Sequence, residues 1–299
     1  MDDSRTVLVA VDFSPHARAA ALRACDLARA SGARVRLIHG APHEKGGSDP
    51  ETGGAVEPAL LGSPSRQLES WRLDLAERGA HVSAAVEDED PVELISRHSL
   101  ATDVLLVVMG THGFGGVDRL FLGSVADRTL RTAQVPIMLV KESEDDASTR
   151  IHRILLATDF SPASEHALRL AIHWARRLEA DVEVLHAIQE PEGERDYPRP
   201  RDSASRSGHR RANALESLRS ILTRTASAGV RAVADLTYGP PSVEIVKHAA
   251  RSRADLVILG LRDPLDPSSL RFGSVTERVL RHVKCSVLIA PGGRRSELD

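Results

Sequence analysis

Glycine residues cluster directly after an apolar run in the first half of the chain. Val104–Met109 is rich in β-branched residues, which predicts a strand buried on both faces. Gly110 and Gly113 follow it, and Gly123-Ser124 leads into a helical pattern. Glycines let backbone N–H groups turn toward an anion, and the dipole of a helix N-terminus favours negative charge. A strand, a glycine-rich loop and a helix start are therefore the parts that can hold a phosphate group.

The glycine spacing is Gly110-x2-Gly113-x9-Gly123-Ser124, which matches neither of the common phosphate-binding fingerprints. A P-loop needs a lysine directly after its last glycine, and the dinucleotide fingerprint needs three closely spaced glycines. The pattern by itself leaves two interpretations open: a phosphate site, or a simple connection between two elements of an α/β sheet.

The chain contains an internal repeat, and the glycine cluster belongs to the first of its two halves. Asp12-Phe13-Ser14-Pro15 recurs as Asp159–Pro162, at an offset of 147 (159 − 12). Gly123-Ser124-Val125 recurs as Gly273–Val275, at an offset of 150 (273 − 123). Because the order and spacing agree along both halves, the sequence predicts a tandem duplication of a whole domain. We expect domains at 1–141 and 151–299, joined by a charged linker at 142–150.

Strand-like and helix-like patterns alternate in each half, which predicts a parallel sheet with helices on both faces. Ser14 and Ser161 are each followed by proline, the pattern of a helix N-cap. Two irregular stretches, 40–65 and 189–208, are expected to be surface loops. The predicted strands of the first half are 6–11, 34–39, 81–86, 103–109 and 136–140, and its helices are 15–31, 62–79, 91–99 and 122–132. The predicted strands of the second half are 152–158, 181–187, 230–236, 255–260 and 286–290.

Composition argues against several classes of partner. Aromatic residues are 3% of the chain and the net charge is −3, so neither base stacking nor a basic surface suggests nucleic-acid or anionic-membrane binding. No apolar run approaches the ~20 residues of a membrane span. The acidic start lacks the apolar core of a signal peptide, and the two cysteines are expected to be reduced. These features lead us to expect a cytoplasmic protein.

Three motifs together resemble the universal stress protein family. They are Asp12-Phe13-Ser14-Pro15 after the first strand, His39 at the end of the second, and the glycine pattern after the fourth. The resemblance covers nearly the whole chain twice. It implies, for each half, a five-stranded parallel sheet of strand order 3-2-1-4-5, and it implies ATP as the ligand where the glycine motif is intact. It also leaves room for Mg²⁺ beside the ATP and for a homodimer of the chain.

The resemblance assigns the site to residues of the first half. In this strand order the carboxyl ends of strands 1 and 4 flank the switch point, where open α/β sheets bind ligands. The residues implied around adenine are Ala10, Val11, Asp12 and Gly40. Those implied along ribose and phosphates are Met109, Gly110, His112, Gly113, Gly123, Ser124 and Val125. Two have alternatives: Asp12 as a carboxylate that helps cap the first helix, and His112 as a solvated loop residue.

The second half departs from the motif, because Asp263 stands where the first half has Gly113. A carboxylate facing a triphosphate is repulsive, so we expect a degenerate site there and one ATP per chain. We also expect the two halves to pair through their last strands, Val135–Val140 and Ser286–Ala290, because each is apolar and lies at a sheet edge.

No catalytic constellation is evident from the sequence. Asp12 alone does not make the metal-holding carboxylate set that phosphoryl transfer needs, and the histidines show no zinc-like spacing. We therefore expect no enzyme, with slow ATP hydrolysis at most, and no metal ligands. Two functional hypotheses remain. One is a stress regulator that binds ATP, and the other is a nucleotide-independent interaction module that uses the loops 40–65 and 189–208.

Overall fold

The computed structural model describes residues 5–41, 63–112, 122–141, 150–189, 201–261 and 273–291, with only the backbone at 201–207. The chain divides into two compact units, Met1–Thr149 and Arg150–Asp299. Within the described residues, no helix combines the length and apolar character needed to cross a bilayer.

The first unit alternates five strands with four helices. Its strands are β1 (Thr6–Ala10), β2 (Arg34–Gly40), β3 (Val82–Glu87), β4 (Val104–Gly110) and β5 (Ile137–Val140). Its helices are α1 (Pro15–Ser31), α2 (Pro64–Glu77), α3 (Pro91–Ser99) and α4 (Ser124–Thr132). All neighbouring strands pair in parallel in the order β3-β2-β1-β4-β5. The predicted fold is confirmed, and each described element lies within two residues of its predicted bounds.

The second unit repeats this architecture. Its strands are β6 (Arg153–Ala157), β7 (Asp181–Ile188), β8 (Ala232–Tyr238), β9 (Leu256–Gly260) and β10 (Ser286–Ala290). Its helices are α5 (Pro162–Leu178), α6 (Arg201–Ser227), α7 (Pro241–Ser252) and α8 (Ser274–His282). The strand order is β8-β7-β6-β9-β10, again all parallel.

Helices cover both faces of the first sheet. Helix α1 packs against α2, and α3 packs against α4. Right-handed crossovers place the first two helices on one face and the last two on the other. The central strands β1 and β4 are therefore buried on both sides. The central strands are therefore continuous apolar runs, as Leu105–Met109 shows.

Helix ends follow the cues in the sequence. The hydroxyl of Ser14 accepts the N–H of Ala17 at 3.1 Å, and Pro15 opens α1. Gly32 ends α1 in the left-handed region, with φ = 68°. Ser161 and Pro162 begin α5 in the same way. The first helix of each unit therefore begins with the same serine N-cap and proline.

One predicted loop is partly wrong. Residues 201–208, expected as the end of a surface loop, form the first turns of α6. The prolines and charges upstream suggested an irregular segment, but helix α6 begins within it. The remainder of that loop (190–200), and residues 42–62 of the other, lie outside the described residues.

Candidate functional site

A cleft opens at the carboxyl ends of β1 and β4, the switch point of the first sheet. Among the described residues, it brings together every predicted site residue: Ala10, Val11, Asp12, Gly40, Met109, Gly110, His112, Gly123, Ser124 and Val125. Gly113 lies outside the described residues. Helix α3 adds an apolar wall of Pro91, Leu94 and Ile95, three residues that are not among the predicted site residues. The sequence indicated the apolar spacing of α3, but it did not indicate that the apolar side of this helix faces the cleft.

The turn after β1 is held by His39 of β2. The Nδ1 atom of His39 lies 2.6 Å from the carbonyl oxygen of Val11, and since a carbonyl only accepts, Nδ1 carries the proton. Phe13 adopts φ = 64°, and its ring packs 4.6 Å from that of His39. The motif histidine therefore fixes the backbone that lines the cleft.

Asp12 supports the start of α1. Its Oδ1 accepts the N–H of Ser14 at 3.0 Å and the Ser14 hydroxyl at 2.6 Å, while that hydroxyl in turn caps the helix at Ala17. The capping interpretation of Asp12 is confirmed. Asp12 is also exposed at the cleft, so the same carboxylate remains available to a ligand there.

Gly40 and Gly110 have a packing role as well as a place in the cleft. A Cβ on Gly110 would lie 2.7 Å from Cβ of His16 in α1. A Cβ on Gly40 would lie 2.8 Å from the carbonyl oxygen of Glu89 and 3.0 Å from Cα of Pro91. Contacts that short do not occur in real structures, so glycine at these two positions lets a helix and a loop approach the sheet.

Helix α4 begins at the cleft without a side-chain cap. The N–H of Gly123 donates to the carbonyl of Thr111 at 2.8 Å, which fastens the helix start to the end of β4. The first intrahelical bond then runs from the N–H of Asp127 to Gly123. Gly123 has no side chain to satisfy the first-turn N–H groups, and Ser124 and Val125 of that turn line the cleft. This helix start is suited to an anion.

His112 lies half-buried at the edge of the cleft. Its Nδ1 is 2.9 Å from the hydroxyl of Thr111, and its ring centroid is 5.3 Å from that of His16. The solvated-loop alternative does not describe this placement, because the ring is partly enclosed by α1 and the end of β4. Whether it contacts a phosphate stays a prediction.

Four acidic residues in a row, Glu87-Asp88-Glu89-Asp90, connect β3 to α3, and several of them have basic partners in the fold. Arg97 reaches both Glu87, at 2.5 Å, and Glu89, at 2.6 Å, and His98 lies 2.7 Å from Glu87. The hydrogen bond from His98, followed by that from Arg97, lowers the pKa of Glu87. The guanidinium of Arg97 therefore offsets the charge of both carboxylates, and His98 hydrogen-bonds Glu87.

Asp90, the last residue of that run, caps helix α3. It accepts the N–H of Val92 at 2.9 Å, and Arg128 of α4 lies 3.4 Å from its other oxygen. Burial acts to raise the pKa of Asp90, but the N–H groups of Val92 and Glu93 and the Arg128 charge outweigh it, so the net shift is downward. The Asp90–Arg128 ion pair joins the N-cap of α3 to the middle of α4, and both helices border the cleft.

The second unit repeats the turn but changes its hydrogen bonds. His186 lies 2.8 Å from the carbonyl of Thr158, and its ring packs 4.4 Å from Phe160, which has φ = 62°. Asp159 additionally accepts the hydroxyl of Ser164, at the position where the first unit has Ala17. Asp263, on which the predicted degeneracy of this half depends, lies outside the described residues.

Comparison with known proteins assigns both halves of the chain to the same family. The model of the universal stress protein family matches residues 4–141 and 150–291. A curated universal stress protein of Thermus aquaticus is 33% identical over 142 residues, covering 46% of this chain and 98% of that protein. Another, from Mycobacterium tuberculosis, is 26% identical over 197 residues, covering 64% of this chain and 63% of that protein.

Solved structures agree on the fold. The crystal structure of a universal stress protein from Archaeoglobus fulgidus covers 97% of this chain and 99% of its own, with a TM-score of 0.68 and 17% identity. At that identity the match concerns the fold alone. Its coverage of both halves accords with two tandem domains of one type.

Proposed function

The chain belongs to the universal stress protein family, and from that premise we propose that its first half binds ATP at the switch-point cleft with little or no hydrolysis. The observation that carries the proposal is the start of α4. Its uncapped first turn lines the same cleft as the end of β1 and the apolar side chains of α3. In this proposal the protein is a stress-response regulator, and the bound nucleotide marks its state.

The two ends of the cleft suit the two ends of ATP. Leu94 and Ile95 give an apolar surface for the flat face of adenine, where burial of apolar area favours binding. The N–H groups of the α4 first turn favour the negatively charged phosphates. Asp12 is the one carboxylate among the described lining residues, so Mg²⁺ that accompanies ATP would be held chiefly by the phosphates and water.

Slow turnover follows from the side chains that line the cleft. No lysine or arginine is among the described lining residues. Phosphoryl transfer needs cationic groups or metal ions that stabilise charge developing in the transition state, beyond what holds the ground-state phosphates. N–H groups that bind substrate and transition state equally well give affinity without rate. We therefore propose a binding protein that releases phosphate far more slowly than the ~1–100 s⁻¹ of kinases.

Ser124 and Ser274 offer a matched test of the site. Each is the first residue of a helix whose N-cap is glycine with no side-chain cap, in the first and second unit respectively. An aspartate at this position favours the helix, because it complements the dipole. Ser124→Asp should therefore leave the fold intact while its carboxylate repels the phosphates. Ser274→Asp makes the same chemical change in the other half.

Calorimetric titration of the full chain with MgATP should show one site, lost in Ser124→Asp and retained in Ser274→Asp. The reverse pattern would place the nucleotide in the second half, and two sites would contradict the predicted degeneracy there. No heat from the unmodified protein would favour the interaction module instead. Circular dichroism of both variants checks that the fold is unchanged.

Phosphate release tests the second part of the proposal. Protein free of contaminating ATPases should turn over ATP less than about once per minute, against the much faster kinases. Turnover above one per second that disappears in Ser124→Asp would reveal a catalytic group that the cleft residues do not account for.

A further inference from the structure

Three side chains from three elements of the second unit meet on one face of its sheet. Glu183 lies on β7 and Asp235 on β8, and the pairing of Glu183 with Val233 and of Leu185 with Asp235 puts both carboxylates on the same face. His248 of α7 packs over them. Its Nε2 lies 2.7 Å from Oε1 of Glu183 and 3.2 Å from Oδ2 of Asp235. The three ligand-type atoms lie within 4.8 Å of one another.

We propose that Glu183, Asp235 and His248 bind a divalent transition-metal ion, with Zn²⁺ as the simplest occupant. Zinc takes one imidazole nitrogen and carboxylate oxygens at bond lengths of ~2.0–2.2 Å, which in tetrahedral geometry separates the ligand atoms by about 3.3 Å. The two distances from Nε2, 2.7 and 3.2 Å, both lie below that separation, so the carboxylates would move slightly away from the imidazole to admit the ion. An imidazole ligand favours such an ion over Mg²⁺ or Ca²⁺, which prefer oxygen ligands.

The three side chains of the cluster differ in solvent exposure, and the exposed ones leave a path for an ion to enter. The side chain of His248 is only 4% exposed, whereas those of Glu183 and Asp235 are 24% and 45% exposed. The imidazole is therefore held in place by packing, while both carboxylates reach solvent. Three protein ligands leave a fourth position of the ion open to water.

Arg251 occupies the outer side of the cluster. Its guanidinium lies 3.2 Å from Oδ2 of Asp235 and 3.0 Å from Nε2 of His248. The Arg251 side chain is 70% exposed, so it can turn into water at little cost, as exposed ion pairs contribute little to stability. A bound metal ion would then take the place of the Arg251 guanidinium beside the carboxylate of Asp235.

The first unit lacks this arrangement. The positions equivalent to Glu183 and Asp235 hold Arg36 and Ala85, and the equivalent of His248 is His98, which contacts Glu87 instead. Within the residues that the structure describes, the cluster on the second unit is the one group of three with metal-ligand geometry. The duplication thus supplies an internal control on the same scaffold.

Titration of the metal-free, untagged full chain with Zn²⁺, in the absence of nucleotide, tests the proposal. We expect one ion per chain and a thermal midpoint that rises with Zn²⁺, because an ion that binds only the folded state stabilises it. Glu183→Gln and Asp235→Asn keep the side-chain shape and should each weaken binding at least tenfold. His98→Gln should leave binding unchanged.

Arg251→Ala separates a metal site from an ordinary ion-pair cluster. If the arginine competes with the ion, its removal should tighten Zn²⁺ binding. Absence of Zn²⁺ binding, or binding that persists in Glu183→Gln and Asp235→Asn, would overturn the proposal. Unchanged or weaker binding in Arg251→Ala would contradict the exchange of cations. Circular dichroism of the carboxylate variants checks that any loss does not come from unfolding.

Discussion

The backbone of Gly110 passes so close to His16 that a Cβ on residue 110 would lie 2.7 Å from the Cβ of His16. The same contact recurs in the second unit, where a Cβ on Gly260 would lie 2.3 Å from the carbonyl oxygen of Ala163. In each unit the fourth strand therefore ends directly against the first helix. The recurrence shows that this glycine serves packing in both halves, whatever either half binds.

Gly110→Ala should destabilise the first unit. The added methyl group has to push α1 away from β4, and overpacking of this kind costs about 1–3 kcal/mol. Denaturant unfolding would measure the loss. Gly208→Ala lies about two turns into α6, with nothing within 4 Å of the new Cβ. It should instead raise stability by about 0.5–1 kcal/mol, because alanine favours a helix. Equal effects of the two substitutions would contradict the packing role of Gly110.

The pairing of Glu87 with His98 and Arg97 should make stability depend on acid pH. These partners lower the pKa of Glu87 in the folded state below its ordinary 4.5. A carboxyl group with a lowered folded pKa stabilises the protein above its unfolded pKa, and the stabilisation is lost as pH falls through the folded value. Urea unfolding between pH 6 and roughly pH 3 should show a smaller loss of stability in Glu87→Gln than in the unmodified chain. Glu216→Gln, on the exposed face of α6, should follow the unmodified chain.

His39 and His186 make the same contact in the two units, which allows a paired test. Removing the imidazole leaves the carbonyl of Val11 or of Thr158 without its donor, at a cost of about 0.5–1.5 kcal/mol. His39→Ala should increase hydrogen exchange in β1 and also weaken ATP binding, because Val11 lines the cleft. His186→Ala should increase exchange in β6 alone. Loss of ATP binding in His186→Ala would show that the second unit contributes to the site.

The expected pairing of the two halves through their last strands stays a prediction. It rests on the apolar sequences of Val135–Val140 and Ser286–Ala290 and on the edge position that the strand order gives each of them within its own unit. An engineered protease site within residues 142–149 tests it. After cleavage the two fragments should elute together in gel filtration at micromolar concentration, and their separation would contradict the pairing.

Local patterns predicted the elements because their causes are local. The serine-proline caps before α1 and α5 and the apolar strands act within a few residues of the chain, so their bounds could be stated closely. The start of α6 was the exception, since proline and charge upstream obscured it. The repeat then made the second unit predictable from the first, and the residues expected around the cleft do line it, apart from Gly113, which lies outside the described residues.

The contacts between elements could not be predicted from these patterns. The sequence showed Glu87, Glu89 and Asp90 as a run of acids, but not that Arg97 and Arg128 approach them from two helices. It showed that Gly110 follows a strand, but not that His16 leaves no room for a side chain there. Each of these facts depends on how far one element lies from another, which propensity and periodicity do not encode.

The sequence by itself therefore determined the family, the duplicated α/β fold and the glycine motif at the switch point, because each repeats or follows a regular pattern along the chain. Only the tertiary structure decided which side chains share a site. Glu183, Asp235 and His248 have no metal-like spacing along the chain, yet strand register and the packing of α7 bring their polar atoms within 4.8 Å. Separation along a chain and separation in space are linked only by the fold, and a cluster drawn from three elements becomes visible only once those elements have packed.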